Sequence, residues 1–298
     1  MAESLRSTIK AVCDSHLSKG HQIFGQCLTA VGFVGGTLPD RTEQEGMVEL
    51  PMADVAGGGF VVGSALMGRR PIYVIRYQGF CWYNLITILN YACKSKEMWR
   101  RPCPLLIRAI AVEGGIGPVA GSSHHSLCYR MPGIEIWSPM TPSEYKQAYT
   151  AFEKGDDVFY FSEHRGSYDQ AEDLTDIDYD DPDFVLFPIS ITRFAAIEAS
   201  QILEKDGIRV SVFHQVRLKP YHIDVEYIDA LDACGKGCVL DDDYTDGIGS
   251  IISAKLMLRT GASIWTMGLQ DKTAGFANHL DNLPPTATEI VEFIKAKL

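Results

Sequence analysis

The sequence predicts an α/β fold of two domains, each built on a mostly parallel sheet. Three observations predict it. Apolar runs of strand length alternate with segments of helical periodicity, and the alternation occurs twice along the chain. Leu105-Leu106-Ile107-Arg108-Ala109-Ile110 is an almost continuous apolar run, the pattern of a parallel strand covered on both faces. Between them the alternation breaks at Glu172–Asp183, where seven acids stand close together and read as a solvated connection. The predicted domains are residues 1–170 and 184–298, joined by an acidic linker at 171–183. Both lengths are ordinary for domains.

Taken in order, residues 3–18 read as an amphipathic helix with Leu5, Ile9, Val12 and Leu17 on one face and Ser4 or Ser7 as its cap. Gln22-Ile23-Phe24 is a short strand, followed by glycine-rich chain and a polar loop at Pro39–Gly46. Val48–Leu50 is a strand, and Val55–Leu66 is a helix of small residues with Asp54 at its head. Ile72–Arg76 is a strand, and Leu85–Met98 has the spacing of a helix with one buried face. After Leu105–Ile110 come a glycine-rich loop at Glu113–Ser123, the pair His124-His125 and the strand Ile134–Trp137. Thr141-Pro142-Ser143-Glu144 has the form of a capping box with proline in the first helical position. Val158–Phe161 is the last strand of the first half.

The second half begins with a strand at Phe184–Ile191 and a helix at Arg193–Lys205 that leaves through Gly207. Strands are expected at Arg209–His214, Cys238–Asp241 and Ser263–Met267. Helices are expected at Val225–Cys234, Gly247–Arg259 and Thr288–Lys295.

Composition narrows the function classes. The 298 residues are 46% apolar and carry a net charge of −11. That is enough apolar sequence for a core without staples, and the wrong charge for a phosphate-binding face. Nucleic acid is therefore not the expected partner. The eight cysteines include no CxxC pair, so free thiols in a reducing cytoplasm are expected. No apolar run approaches the ~20 residues that span a membrane, and MAESLRSTIK has no apolar signal core. The expected location is cytoplasmic, with no membrane association.

Several residues carry chemistry in more than one reading. No G-x-x-x-x-G-K-[ST] or G-x-S-x-G segment occurs, which removes the P-loop and serine-hydrolase readings. Asp54 is either the N-cap of its helix or a carboxylate that bonds a ring nitrogen of a cofactor. Phe80 follows a strand and is either core or a stacking face for a flat ligand. His124 and His125 follow the strand that bears Arg108, where a histidine serves as a proton donor or acceptor or else lies on the surface. Adjacent side chains on extended chain diverge, so one of the two at most faces a ligand. Arg217-Leu218-Lys219-Pro220 is a turn into a helix or a basic patch. The acids Asp241, Asp242, Asp243 and Asp246 after a strand are not favoured as a metal site, and no zinc spacing is present.

Read together, these segments resemble a known family. Glu49-Leu50-Pro51-Met52-Ala53-Asp54, the small-residue helix and Gly68-Arg69-Arg70-Pro71-Ile72 are similar to the β subunit of the thiamine-dependent first component of 2-oxoacid dehydrogenases, of pyruvate and branched-chain type. So are Leu89-Asn90-Tyr91-Ala92-Cys93-Lys94 with Met98, the series Arg108, Gly121 and His124-His125-Ser126-Leu127, and Pro132-Gly133-Ile134 with Ser138-Pro139. Gly207, Arg217 and Pro220 continue the series into the second half. The resemblance implies a pyrimidine-binding, transketolase-like domain followed by a transketolase C-terminal domain. It implies thiamine diphosphate as cofactor, shared with a separate α subunit in an α2β2 heterotetramer, with Mg2+ and the diphosphate on that partner. A lipoyl acyltransferase is a further partner in the family. In this arrangement Asp54 occupies the place of the family's glutamate, which protonates the aminopyrimidine and so activates the thiazolium carbon. Phe80 and Gln26 fall at the cofactor, and His124 and His125 at the substrate pocket, with His125 the catalytic one.

Three departures from the pattern stand out. The glutamate is an aspartate, which draws the carboxylate back by ~1.5 Å on a fixed backbone. Phe24-Gly25-Gln26-Cys27-Leu28 stands where the family has L-G-E-[ED]-V, so a buried acid expected to relay between sites is missing. The loop before His124 is longer than the family's, and the stretch from Tyr129 to Pro132 is shorter. The reaction implied is decarboxylation of a 2-oxo acid with transfer of the acyl unit. The rivals are a split transketolase or carboligase, and a scaffold subunit without catalysis.

Overall fold

The computed structural model describes residues 3–113, 121–273 and 282–298. The chain divides into two compact units, one made of Met1–Val112 and Val119–Asp173, the other mainly of Leu174–Leu298. Most of the expected glycine-rich loop at Glu113–Ser123 lies outside the described residues.

In the first unit the strands are β1 (Ile23–Gly25), β2 (Met47–Glu49), β3 (Ile72–Ile75), β4 (Leu105–Ala111), β5 (Ile134–Trp137) and β6 (Val158–His164). Their order is β2-β1-β3-β4-β6-β5, and every neighbouring pair is parallel. β3, β4 and β6 are buried along their whole length, as continuous apolar runs require. From β1 the chain crosses to one side to make β2, and from β3 it crosses to the other side to make β4. The carboxyl ends of β1 and β3 therefore flank a point where the connections diverge, the usual ligand crevice of an open parallel sheet.

β6 runs three residues beyond the expected Phe161, and those residues matter. Glu163 and Arg108 are both fully buried and form a two-pronged ion pair, Nε to Oε1 at 2.6 Å and Nη2 to Oε2 at 2.9 Å. Tyr145 and Tyr168 each donate a hydroxyl to the same carboxylate, at 3.1 and 2.9 Å. The guanidinium also reaches Thr37 Oγ1 at 3.1 Å and Cys13 Sγ at 3.5 Å. Desolvating two charges is costly, and this many donors is what an isolated buried pair needs to be tolerated.

The first helix is Leu5–Ser18, capped by Ser4, whose side chain accepts the Ser7 amide. Its buried face is completed by Cys13 and His16, while Val12 is only half-buried. Ala30–Gly36 contains five residues, Val31 to Gly35, in left-handed backbone conformation. Nothing in the β-branched and glycine sequence there points to it. Thr37 Oγ1 donates to the Val34 carbonyl at 2.9 Å and Arg6 donates to the Gly35 carbonyl, which ties the turn down. The expected helix over Leu85–Met98 is broken into Ile86–Asn90, a 3-10 turn at Ala92–Lys94 and Ser95–Trp99, preceded by Cys81–Asn84. The Asn90 side-chain amide donates to the Ile86 carbonyl four residues back at 2.9 Å, in competition with the helical bond there, just before the chain leaves helical geometry at Tyr91. Gly133 shapes the last of these breaks from outside: a Cβ there would lie 1.9 Å from the Cys93 carbonyl oxygen. At Pro142–Lys154 Thr141 caps as expected, but Glu144 accepts from the Met140 amide instead of closing a capping box on Thr141.

In the second unit the strands are β7 (Phe184–Pro188), β8 (Val210–Val212), β9 (Arg217–Lys219), β10 (Lys236–Tyr244) and β11 (Ser263–Leu269). A four-stranded parallel sheet has the order β11-β10-β7-β8. The helices Thr192–Lys205 and Ala287–Lys295 close one core over it, with Leu186, Leu203, Leu240, Ile290 and Ile294 fully buried. The acidic stretch is not simply solvated. Ile177 pairs antiparallel with Val212, Asp176 accepts the His214 amide at 2.7 Å, and Asp181 and Asp183 both meet Arg209. The helix-entry reading of Arg217-Leu218-Lys219 gives way to β9. The eight cysteines are free thiols, and six of them are buried. Among the described residues no helix is long and apolar enough to cross a membrane.

Burial pushes His16, His164 and His214 down to about 3, and the His164 Nδ1 accepts the Gly166 amide at 3.0 Å, which requires a neutral ring. In the unfolded chain these rings take protons near 6.5. Below that pH the unfolded state binds more protons than the fold, so stability is complete above it and is lost as pH falls toward 3. The loss approaches ~1.4 kcal/mol per pH unit for each ring. Urea unfolding of the purified protein is therefore expected to show a clearly lower midpoint at pH 5.5 than at pH 7.5, and equal midpoints would contradict this account.

Candidate active site

The crevice between the carboxyl ends of β1 and β3 holds a cavity of about 190 Å³. Val74, Ile75, Tyr77 and Phe80 give it apolar walls, Met52 lies at its edge, and Gln26, Arg76 and Asn84 are its polar lining. That volume is below the range of a drug-sized pocket and suits one small flat group. Phe80 closes the 3-10 turn Gln78–Phe80 that follows β3 and is half-buried, with its ring 6.2 Å from that of Tyr77.

Asp54 stands beside this cavity through its partners. It is not an N-cap: Ala53 holds that place, and Asp54 is the first residue of the helix Asp54–Leu66. Its Oδ1 accepts two side-chain amides, Asn84 Nδ2 at 2.9 Å and Gln26 Nε2 at 3.1 Å. Among the described residues Oδ2 has no hydrogen bond. The carboxylate also sits in the first helical turn, where unpaired amide N–H groups favour negative charge. Tyr73, buried behind it, has its hydroxyl pushed to high pKa by burial and then by the charge of Asp54, so it remains a donor. The phenol donates to Asn84 Oδ1.

The glycines of this helix explain how the two elements come so close. A Cβ on Gly58 would lie 2.3 Å from the Asn84 carbonyl oxygen and 2.9 Å from Thr87 Oγ1. The helix backbone thus rests directly on the segment that carries Asn84. Gly63, five residues on, faces open space.

A second polar group is assembled on the same turn. Gln78 is fully buried; its amide donates to Ser162 Oγ at 2.8 Å and to the Ala109 carbonyl at 3.2 Å, and its Oε1 accepts the His124 amide at 2.6 Å. His125 is fully buried with Nδ1 3.1 Å from Ser162 Oγ. His124 is half-buried, bonded to Ser122 Oγ through Nε2 at 3.3 Å and edge-on to Trp82. The structure therefore brings Gln26, Asp54 and Phe80 together around one cavity and gathers His124 and His125 around Gln78 and Ser162. The two groups share the turn Gln78–Phe80. Neither histidine lines the cavity.

Residues 6–170 match the family described as the transketolase pyrimidine-binding domain. The chain belongs to that family. This transketolase-type chain is 28% identical over 255 residues to 2-oxoisovalerate dehydrogenase subunit beta of Bacillus subtilis, covering 76% of this chain and 75% of that one. It is 24% identical over 273 residues to pyruvate dehydrogenase E1 component subunit beta of Rickettsia bellii, covering 84% and 82%. Its fold matches a solved split-gene transketolase, an inactive β4 tetramer, with a TM-score of 0.75 and 16% identity over 99% of this chain and 98% of that one.

Within this transketolase-type domain, sequence reasoning did not reach Asn84, Gln78, Tyr73 or Ser162. Each acts on a group far along the chain: Asn84 on Asp54 thirty residues away, Gln78 on His124 forty-six away. No local pattern encodes such a pairing. The one usable signal was the triplet Gly57-Gly58-Gly59, which announces a close approach without saying to what. Gly58→Ala is expected to destabilise the protein by ~1–3 kcal/mol, since a backbone carbonyl cannot yield. Gly63→Ala is expected to stabilise by ~0.5–1 kcal/mol, the ordinary gain inside a helix. Urea denaturation of both variants measures the contrast.

Proposed function

We propose that this chain is the β subunit of a thiamine-diphosphate-dependent enzyme that decarboxylates a 2-oxo acid and transfers the acyl unit. The observation that carries the reading is a carboxylate, Asp54, held beside a small apolar cavity at the switch point of a parallel sheet. Such a cavity fits an aminopyrimidine: flat apolar walls for the ring, and one acid for a ring nitrogen. The sequence relatives named as pyruvate and 2-oxoisovalerate dehydrogenase β subunits favour an oxo acid as the substrate class.

Thiamine diphosphate, when bound, supplies a carbon nucleophile and an electron sink for decarboxylation. This chain's part is to bind and to handle a proton. Phe80, Val74 and Ile75 would hold the ring by its faces and keep water from it. Asp54 would share a proton with a ring nitrogen through Oδ2, while Gln26 and Asn84 occupy Oδ1. His125, fixed by Ser162, is proposed as the proton-handling group on the substrate side, with His124 nearer solvent. A separate α subunit would hold the diphosphate and Mg2+, in an α2β2 assembly in the cytoplasm, with a lipoyl acyltransferase as the acceptor. Trp82, Tyr83 and Ile86, exposed at 57%, 54% and 45%, form an apolar face next to the cavity-lining Asn84 that such a partner would cover. The first unit would be the pyrimidine-binding domain and the second a transketolase C-terminal domain.

The test is co-expression with the candidate α subunit, followed by calorimetric titration with thiamine diphosphate and assay of pyruvate and 2-oxoisovalerate decarboxylation. Asp54→Ala is expected to lower kcat by ~100–10,000-fold, the usual span of a general acid–base group. Asp54→Glu is expected to retain or raise it. An Asp54→Ala complex as active as the wild type would overturn the reading.

A further inference from the structure

We propose that Asn84 is a positioning residue that adapts the site to a carboxylate one methylene short: it fixes Asp54 Oδ1 so that Oδ2 is the oxygen presented to the cofactor ring. The inference rests on the role given to Asp54 above. Its geometry is independent of that role.

The orientation of the Asn84 amide is forced by its neighbours. Nδ2 lies 2.9 Å from Asp54 Oδ1 and 3.0 Å from the Phe80 carbonyl oxygen, and both of these only accept. On the other side Oδ1 receives the Tyr73 hydroxyl. Turning the amide over would oppose acceptor to acceptor twice. Asn84 is 3% exposed and Tyr73 1%, so water does not compete for these bonds. Gln26 adds a second donor to the same Asp54 oxygen at 3.1 Å. With two N–H groups on one oxygen, the plane of the carboxylate is fixed and its other oxygen is the one turned away from the amides.

The same residue also sets how far the acid stands from its surroundings. Asn84 touches the helix of Asp54 at the backbone of Gly58, where no side chain fits. The helix start is therefore drawn onto the Asn84 turn, which carries Phe80, the stacking ring of the same cavity. One amide thus couples the position of the acid to the position of the ring wall. Such coupling is what a short side chain needs, since a longer one reaches its target by choosing among rotamers, whereas aspartate depends on where its backbone is held.

The test is a double-mutant cycle on the α/β complex with Asn84→Ala and Asp54→Glu, reading kcat, KM for the oxo acid and the dissociation constant of thiamine diphosphate by calorimetry. Asn84→Ala is expected to lower kcat by ~10–100-fold and to weaken the cofactor by a similar factor, the size of a hydrogen bond to a charged group, with KM for the oxo acid unchanged. In the Asp54→Glu background the same substitution is expected to change either quantity by less than about threefold, because the longer acid no longer needs the clamp. Tyr73→Phe, which keeps the amide but removes the donor that holds its Oδ1, is expected to give a smaller loss in the same quantities and serves if Asn84→Ala does not fold. Equal losses from Asn84→Ala in both backgrounds, or wild-type cofactor affinity and kcat in Asn84→Ala and Tyr73→Phe, would overturn the inference. In either case Asp54→Ala still separates the two readings: if it remains inactive, the cofactor role stands and only the clamp fails.

Discussion

Two amide N–H groups converge on a single oxygen of Asp54, and much of the first unit is arranged to let them. Gln26 arrives from the end of β1, Asp54 from the helix after β2, and Asn84 from the turn after β3. Three successive strand ends must therefore lie side by side, which a parallel sheet with diverging connections at β1 and β3 provides. The glycine at position 58 removes the last steric obstacle. The crevice, the acid beside it and the Phe80 wall follow from that one convergence.

The sheet that carries these ends is anchored from within. Arg108 and Glu163 lie on neighbouring strands β4 and β6, two residues apart in register, and draw in Tyr145, Tyr168, Thr37 and Cys13. Removing one partner of such a pair leaves an uncompensated buried charge, which typically costs ~3–5 kcal/mol. The network fixes the first helix and the left-handed turn at Val31–Gly35 to the sheet. None of its members lines the cavity, although Arg108 pairs in register with the cavity residue Val74.

The strands and most helices were legible in the sequence because their signals are local. Ile134–Trp137 and Val225–Cys234 have the bounds that apolar pattern and glycine exit imply. The alternation of elements carried the fold class, and the ordered motif set carried the family. What stayed hidden was non-local or conformational. The break in Leu85–Met98 falls where the Asn90 side-chain amide takes the Ile86 carbonyl. The left-handed turn runs against the chirality preference of valine and phenylalanine, at ~1–2 kcal/mol per residue, and Arg6 and Thr37 bond its carbonyls from outside the turn. At the site, Asp54, Gln26 and Phe80 could be named because each sits at a strand end within a recognisable motif. Asn84 and Gln78 could not, because their chemistry lies in partners dozens of residues away. The N-cap reading of Asp54 failed for a related reason: Ala53 takes the cap, and the carboxylate is turned to side chains instead of to its own helix.

By the sequence resemblance Asp54 is one methylene shorter than the family's glutamate, and in this structure two amides and the close contact at Gly58 set where its carboxylate stands. The most direct measurement is the structure of the α/β complex with thiamine diphosphate bound. The account requires Asp54 Oδ2 at hydrogen-bond distance, about 2.6–3.2 Å, from a pyrimidine nitrogen, with Oδ1 still holding Asn84 and Gln26. A ring bound elsewhere, or an Asp54 that leaves both amides to reach it, would contradict the account.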